Sequence, residues 1–161
     1  MNIALFYHSL LSDWNHGNAH FLRGVAWELQ ARGHEVRIFE PSDGWSLTHL
    51  LRDHGRAAIE EFQRTYPGLP SQFYDPERLD LHRALKNIDL VIVHEWTSPE
   101  LIRRIAEHRS AQGGYQLLFH DSHHKSQTDP DSLPRACLEL FDGVLAYGRS
   151  IREIYLSRRW T

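Results

Sequence analysis

Asn2-Ile-Ala-Leu-Phe-Tyr7, a polar loop, a helix-patterned run to Gly33-His34 and then Glu35-Val-Arg-Ile-Phe-Glu40 form the stretch that decides the fold. Ile3 to Tyr7 is apolar without interruption, the pattern of a short strand buried on both faces. Ser12-Asp-Trp-Asn-His-Gly-Asn18 is rich in turn formers. Beyond it Phe21, Leu22, Val25, Ala26 and Leu29 recur at helical spacing, with Arg23, Glu28, Gln30 and Arg32 read as the opposite face. Gly33 stops the helix where a left-handed residue is needed, and a second strand follows. Strand, glycine-bearing loop, helix, Gly-His and strand make a βαβ unit, which implies a parallel α/β fold.

Outward from that unit, Ser46 is read as the cap of one helix reaching about Thr65, with Leu47, Leu51, Ala58 and Phe62 inward and Gly55 as a weak point. Tyr66 to Pro76 is the longest irregular stretch, and Glu77 to Lys86 a short helix. Asp89-Leu-Val-Ile-Val-His94 is a central strand. Ser98-Pro99-Glu100 opens a helix with a cap, a proline at its first position and an acid near its positive end. Tyr115 to His120 is a fourth strand, Asp131 to Phe141 a helix, and Val144 to Tyr147 a fifth strand. Ser150-Ile-Arg-Glu153 fits a capping box for the last helix. The charges in Glu35, Arg37 and Glu40 mark the second strand as an edge. The expected architecture is therefore one doubly wound parallel sheet, Rossmann-like, of about five strands in order 2-1-3-4-5 with helices on both faces.

The 161 residues suit one domain with a real core, and the formal charge of −3 gives no basic face for nucleic acid. A single cysteine, Cys137, rules out an internal disulfide framework and suits a reducing cytoplasm. No apolar run approaches the roughly 20 residues of a membrane span. Met1-Asn2 leads directly into the first strand, so no signal peptide is expected.

In sheets of this order, ligands bind outside the carboxyl ends of the strands, where strand order reverses. That edge receives His8 with the Asn15-to-Asn18 loop, His94-Glu95-Trp96, His120-Asp121 and Tyr147-Gly148. Gly17 and Asn18 can present backbone N–H groups to a phosphate, or simply cap the helix. His94 and Glu95 can orient a hydroxyl or move a proton, with Trp96 stacking on a ring, or serve as strand-end packing. His120-Asp121 is the best candidate for chemistry, since an imidazole suits proton transfer or hydrogen bonding near neutral pH. His123 and His124 nearby raise a zinc site as a competing reading, but adjacent histidines on a loop with no cysteine partner argue for no metal. The Gly-x-Gly-x-x-Gly fingerprint is absent, which argues against NAD or FAD. A flavodoxin-like receiver would need acids after the first strand, where Tyr7-His8-Ser9 stands.

Asn2 to His8, the Gly17-Asn18-Ala19-His20 loop and Leu29-Gln-Ala-Arg-Gly-His-Glu-Val-Arg-Ile38 together resemble the N-terminal half of a GT-B glycosyltransferase, near family 4 and its CgeB-like relatives. Asp89 to His94, Phe119-His120-Asp121 and Phe141 to Tyr147 extend the resemblance over nearly the whole chain. It implies an acceptor-binding domain whose first loop, with Gly17, Asn18 and His20, approaches the donor diphosphate. The nucleotide-sugar donor is then a substrate, and no cofactor is bound by this domain alone. The implied partner is a C-terminal nucleotide-sugar-binding domain, without which residues 1–161 would be inactive. Half of a GT-B-fold sugar-nucleotide epimerase, or a stand-alone binding subunit of a split transferase, are the alternatives.

Overall fold

A computed structural model of the chain, which describes residues 1–11, 17–122 and 125–160, contains a six-stranded, wholly parallel sheet. Its strands are β1 (Asn2–Phe6), β2 (Glu35–Pro41), β3 (Ser71–Tyr74), β4 (Leu90–His94), β5 (Gln116–Asp121) and β6 (Gly143–Ala146), in spatial order 3-2-1-4-5-6. The five expected strands stand in the expected relative order. The sixth, β3, lies in the stretch read as irregular and pairs outside β2.

β2 is therefore interior, and its charge has another cause. Glu40 is buried, where it accepts from the Leu10 N–H (2.7 Å) and from the Ser71 hydroxyl of β3. Burial raises its pKa, and these donors together with the Arg23 charge oppose that rise.

Period-two alternation sends the strand residues to two cores. Ile3, Leu5, Tyr7, Ile38 and Ile92 pack beneath α1 (Asn18–Ala31), α2 (Trp45–His54) and α3 (Ala57–Thr65). Ala4, Phe6, Phe39, Val91, Val93, Leu117 and Phe119 pack on the other face. They meet Leu101, Ile102, Ile105 and Ala106 of α5 (Pro99–Gln112), together with Ile151 and Tyr155 of α8 (Gly148–Arg158). Phe6 and Phe39 stack at 4.9 Å. Ile105 is wholly buried; burying such a side chain contributes about 1.5–3 kcal/mol. A charge at that position would break the contact between α5 and the sheet.

Local signals explain most boundaries. After α1, Gly33 (φ +82°) takes the left-handed position, its N–H bonding Gln30 O and the His34 N–H bonding Leu29 O, a Schellman stop. Ser98 Oγ accepts from the Leu101 N–H, with Pro99 in the first turn of α5. The single helix expected over 46–65 is two, because Gly55 (φ +66°) breaks it, and α2 starts at Trp45 after Gly44 rather than at Ser46. The Glu77–Lys86 helix contracts to α4 (Leu81–Ala84), capped by Asp80. The expected Asp131–Phe141 helix resolves into a 3₁₀ turn (Pro130–Ser132) and α7 (Arg135–Leu138), after the short α6 (Lys125–Thr128). Helix α8 begins at Gly148, ahead of the capping box proposed at Ser150, and Tyr147 at its N-cap makes no side-chain cap bond.

Arg23, read as an outward residue of α1, points inward instead. Its Nε donates to Leu10 O (2.8 Å), and its guanidinium lies over the Phe62 and Tyr66 rings. The cation thus ties the segment after β1 to α3. No described helix is long and apolar enough to cross a membrane.

Candidate functional site at the carboxyl edge

The register across the sheet fixes the site. Phe6 pairs with Val93 and His94 with His120, while His120 pairs with Leu145. In parallel strands paired residues share a face, so Tyr7, His94, His120 and Leu145 form one row at the carboxyl edge, on the side covered by α1. The Tyr7 and His94 rings are 6.0 Å apart, Tyr7 and His120 6.1 Å, and His94 and His120 5.6 Å.

From that row a hydrogen-bonded chain runs toward the helix. His8 Nδ1 and His94 Nδ1 are 3.2 Å apart, and the Trp96 N–H also donates to His94 Nδ1 (3.3 Å). With Nδ1 accepting, the His94 proton sits on Nε2 and is given to Ser122 Oγ at 2.7 Å. Ser122 in turn donates to Asn18 Oδ1 at 3.1 Å. Four segments (the β1 and β4 ends, the loop after β5 and the start of α1) are thereby joined through side chains.

Glu95 is fully buried and works on backbone. Its Oε1 accepts from the Ser122 N–H (2.9 Å) and its Oε2 from the Lys125 N–H (2.8 Å), while Lys125 Nζ donates to Glu95 O (3.2 Å). The same ammonium lies 5.1 Å from the Trp96 ring, and burial lowers its pKa. Asp121 is fully buried on the opposite face, its Oδ2 accepting from the Tyr155 hydroxyl of α8 (3.0 Å). Burial and this neighbouring carboxylate raise the Tyr155 pKa.

His120 lines an open cavity of about 580 Å³ whose walls include Phe21 and Val25 of α1, Leu145 of β6, and Arg152 and Leu156 of α8. The residue is only 5% exposed, and burial pushes its pKa down to about 4 against a weaker upward pull from Asp121. The ring is therefore neutral at neutral pH. His120 Nδ1 and the hydroxyl of fully buried Tyr7, which lines the same cavity, are closed to solvent and have no hydrogen-bond partner among the described residues. Most buried polar atoms are paired, so these two, closed off behind the cavity wall, are exceptions.

Of the residues singled out from sequence, His8, Asn18, His94, Glu95, Trp96, His120 and Asp121 come together, although Glu95 and Asp121 are turned inward. Gly17, the N-cap of α1, is exposed and makes no side-chain cap bond. His20 lies apart, in a groove with Arg23, Trp27 and Tyr66. Asn15, His16, His123 and His124 lie outside the described residues. Among the described residues no group of three or more His, Cys, Asp or Glu is placed to hold a metal ion. Ser122, Lys125 and Tyr7 escaped the sequence reading of this edge. Alternation from Ile3 and Leu5 places Tyr7 on one face, and the signal to follow was a tyrosine hydroxyl at the end of that apolar row.

A parallel, doubly wound domain with its polar cluster at the carboxyl edge belongs to the Rossmann-like class of ligand-binding α/β proteins. The sequence profile of Glycosyltransferase Family 4 matches residues 17–159, and the chain belongs to that family. A search of curated proteins gave no match.

Proposed function

We propose that the chain is the acceptor-side, N-terminal domain of a glycosyltransferase that moves a sugar from a nucleotide-sugar to an acceptor hydroxyl. The observation that carries this reading is the neutral imidazole of His120 in the wall of an open cavity, in a chain of family 4. A pKa near 4 makes His120 a poor base at neutral pH, since proton transfer is most effective when pKa and pH are close. Its role is to hold the acceptor hydroxyl by hydrogen bonding, and Asp121 supports it by fixing the strand end to Tyr155.

Gly17 and Asn18 stand at the N-terminus of a 14-residue helix, where unpaired N–H groups and the helix dipole favour an anion. We assign the donor diphosphate to that end, with His8, His94 and Trp96 along the adjoining wall and Glu95 holding the loop. The nucleotide-sugar is a substrate, and the partner is a second domain that binds its nucleotide. Residues 1–161 alone then carry no transferase activity. The single cysteine, Cys137, supports a reducing cytoplasmic setting.

Calorimetry on residues 1–161 tests the division of labour. Nucleoside diphosphates should bind no tighter than about 1 mM, a free energy of only about 4 kcal/mol. Micromolar binding would place the nucleotide site in this domain and overturn the acceptor-side reading.

A further inference from the structure

We infer that a second cavity, among the loops after β1, β2, β3 and β4, holds the acceptor by a protonated amine. The inference rests on the acceptor-side reading and names the class of acceptor. The cavity lies at the carboxyl edge and borders the histidine row at His8. Its volume of about 470 Å³ falls within the usual range for small-molecule sites, about 300–1,000 Å³.

The charge of the walls is one-sided. Asp43, Asp75, Glu77 and Glu100 line the cavity, all of them exposed, and no Lys or Arg stands among the described lining residues. Glu100 is paired with Arg103, and Asp75 Oδ2 lies 3.6 Å from Arg78 Nε, both arginines standing outside the cavity. Asp43 and Glu77 have no ion pair among the described residues. Such walls repel a diphosphate, so the cavity suits the other substrate. Nor do the acids converge on a point, since no group of three or more described ligand residues is placed to hold a metal ion. Carboxylates spread around a cavity fit a cation carried on an organic frame.

Tyr74 points to the same ligand independently. It is 6% exposed and lines the cavity, and its hydroxyl makes no hydrogen bond to a described residue. That oxygen is not closed to solvent as the Tyr7 hydroxyl is. Burial raises the Tyr74 pKa and the Asp43 and Glu40 charges add to the rise, which places the hydroxyl toward Asp43. The loop carrying Asp43 is pinned beside it, the Ser42 N–H donating to Tyr74 O (2.8 Å) and the Gly44 N–H to Pro41 O (3.2 Å). An ammonium has three N–H donors, enough for the Tyr74 oxygen and two carboxylates. Trp96, an exposed ring in the same wall, adds an aromatic surface for the ligand's carbon frame.

The test is an NMR titration of the 161-residue chain with trans-4-aminocyclohexanol and its N-acetyl derivative, which keeps the ring and hydroxyl but loses the charge. Expected are shifts of the Tyr74 and Trp96 ring signals with the amine and an affinity at least about tenfold above that of the derivative, the scale of a hydrogen bond to a charged group. Asp43→Asn combined with Glu77→Gln, both at exposed positions, should abolish that preference in a folded protein, and Tyr74→Phe should reduce it. Equal affinity for the two probes, a preference that survives the double substitution, or no binding would each overturn the proposal and leave the acceptor-side reading intact. Displacement of the amine by an equal concentration of magnesium would make the acids a metal site and overturn it likewise. Displacement by a nucleoside diphosphate would overturn the acceptor-side reading and this proposal with it.

Discussion

His8 and His94 face each other with their Nδ1 atoms 3.2 Å apart and their rings stacked at 4.7 Å between centroids. Two ring nitrogens at that distance share one proton, so the pair is an ordered donor and acceptor. Replacing either by alanine should uncouple the β1 and β4 ends. A double-mutant cycle on His8→Ala and His94→Ala, read by denaturant unfolding, should give a coupling of about 0.5–3 kcal/mol. Strict additivity would show that the contact carries no energy.

Tyr7→Phe removes a hydroxyl that is buried without a partner among the described residues. It should therefore hold or raise stability, by up to about 1 kcal/mol, because an unsatisfied polar atom is a net cost. Thermal unfolding reads this directly, and a clear loss of stability would mean that the hydroxyl is paired in the folded protein.

His120 ties stability to pH. Burial lowers its pKa from 6.5 to about 4, so between those values the unfolded chain binds the proton more readily. Stability should be unaffected by this residue above about pH 6.5 and should fall as pH drops toward 4, by up to about 3 kcal/mol. Buried Glu40, whose pKa is raised, contributes with the opposite sign. The difference between wild type and His120→Phe isolates the histidine, and parallel stability–pH curves for the two proteins would contradict its burial.

Glu95 holds two backbone N–H groups that would otherwise be buried and unpaired. Glu95→Ala should cost about 2–6 kcal/mol, from about 1–3 for each of the two donors left unsatisfied. Glu95→Gln, which keeps one acceptor oxygen, should cost less. Hydrogen exchange at Ser122 and Lys125 should speed up in both variants, and unchanged protection would remove Glu95 as the anchor of that loop.

The elements legible in the sequence were those set by local chemistry. Gly33 and the Ser98-Pro99 start carry their own geometry, and the apolar runs of β1 and β4 announce central strands. What was missed depended on distant partners. Ser71-Gln-Phe-Tyr74 is a strand because β2 and the Glu40 carboxylate are there to receive it, and four residues between Pro70 and Pro76 give no signal of that. Glu40 and Arg23 were read as surface charges because burial of a charge is decided by what surrounds it in space. At the site, alternation and strand ends delivered His94 and His120 to one row. Neither could reveal that Glu95 and Asp121, in the same short motifs, turn inward to bond backbone and Tyr155.

The extra strand also changes how the domain meets other copies of itself. With β3 outside β2, the long β2 is paired on both sides, and the two borders of the sheet are β3 and β6, four residues each. Short borders present few unpaired N–H and C=O groups, and so offer a poor template for another sheet to extend. Losing β3 would expose the seven-residue β2 as a border nearly twice as long. Substitutions that detach Ser71–Tyr74 should then appear first as aggregation at high concentration, before any loss of the core.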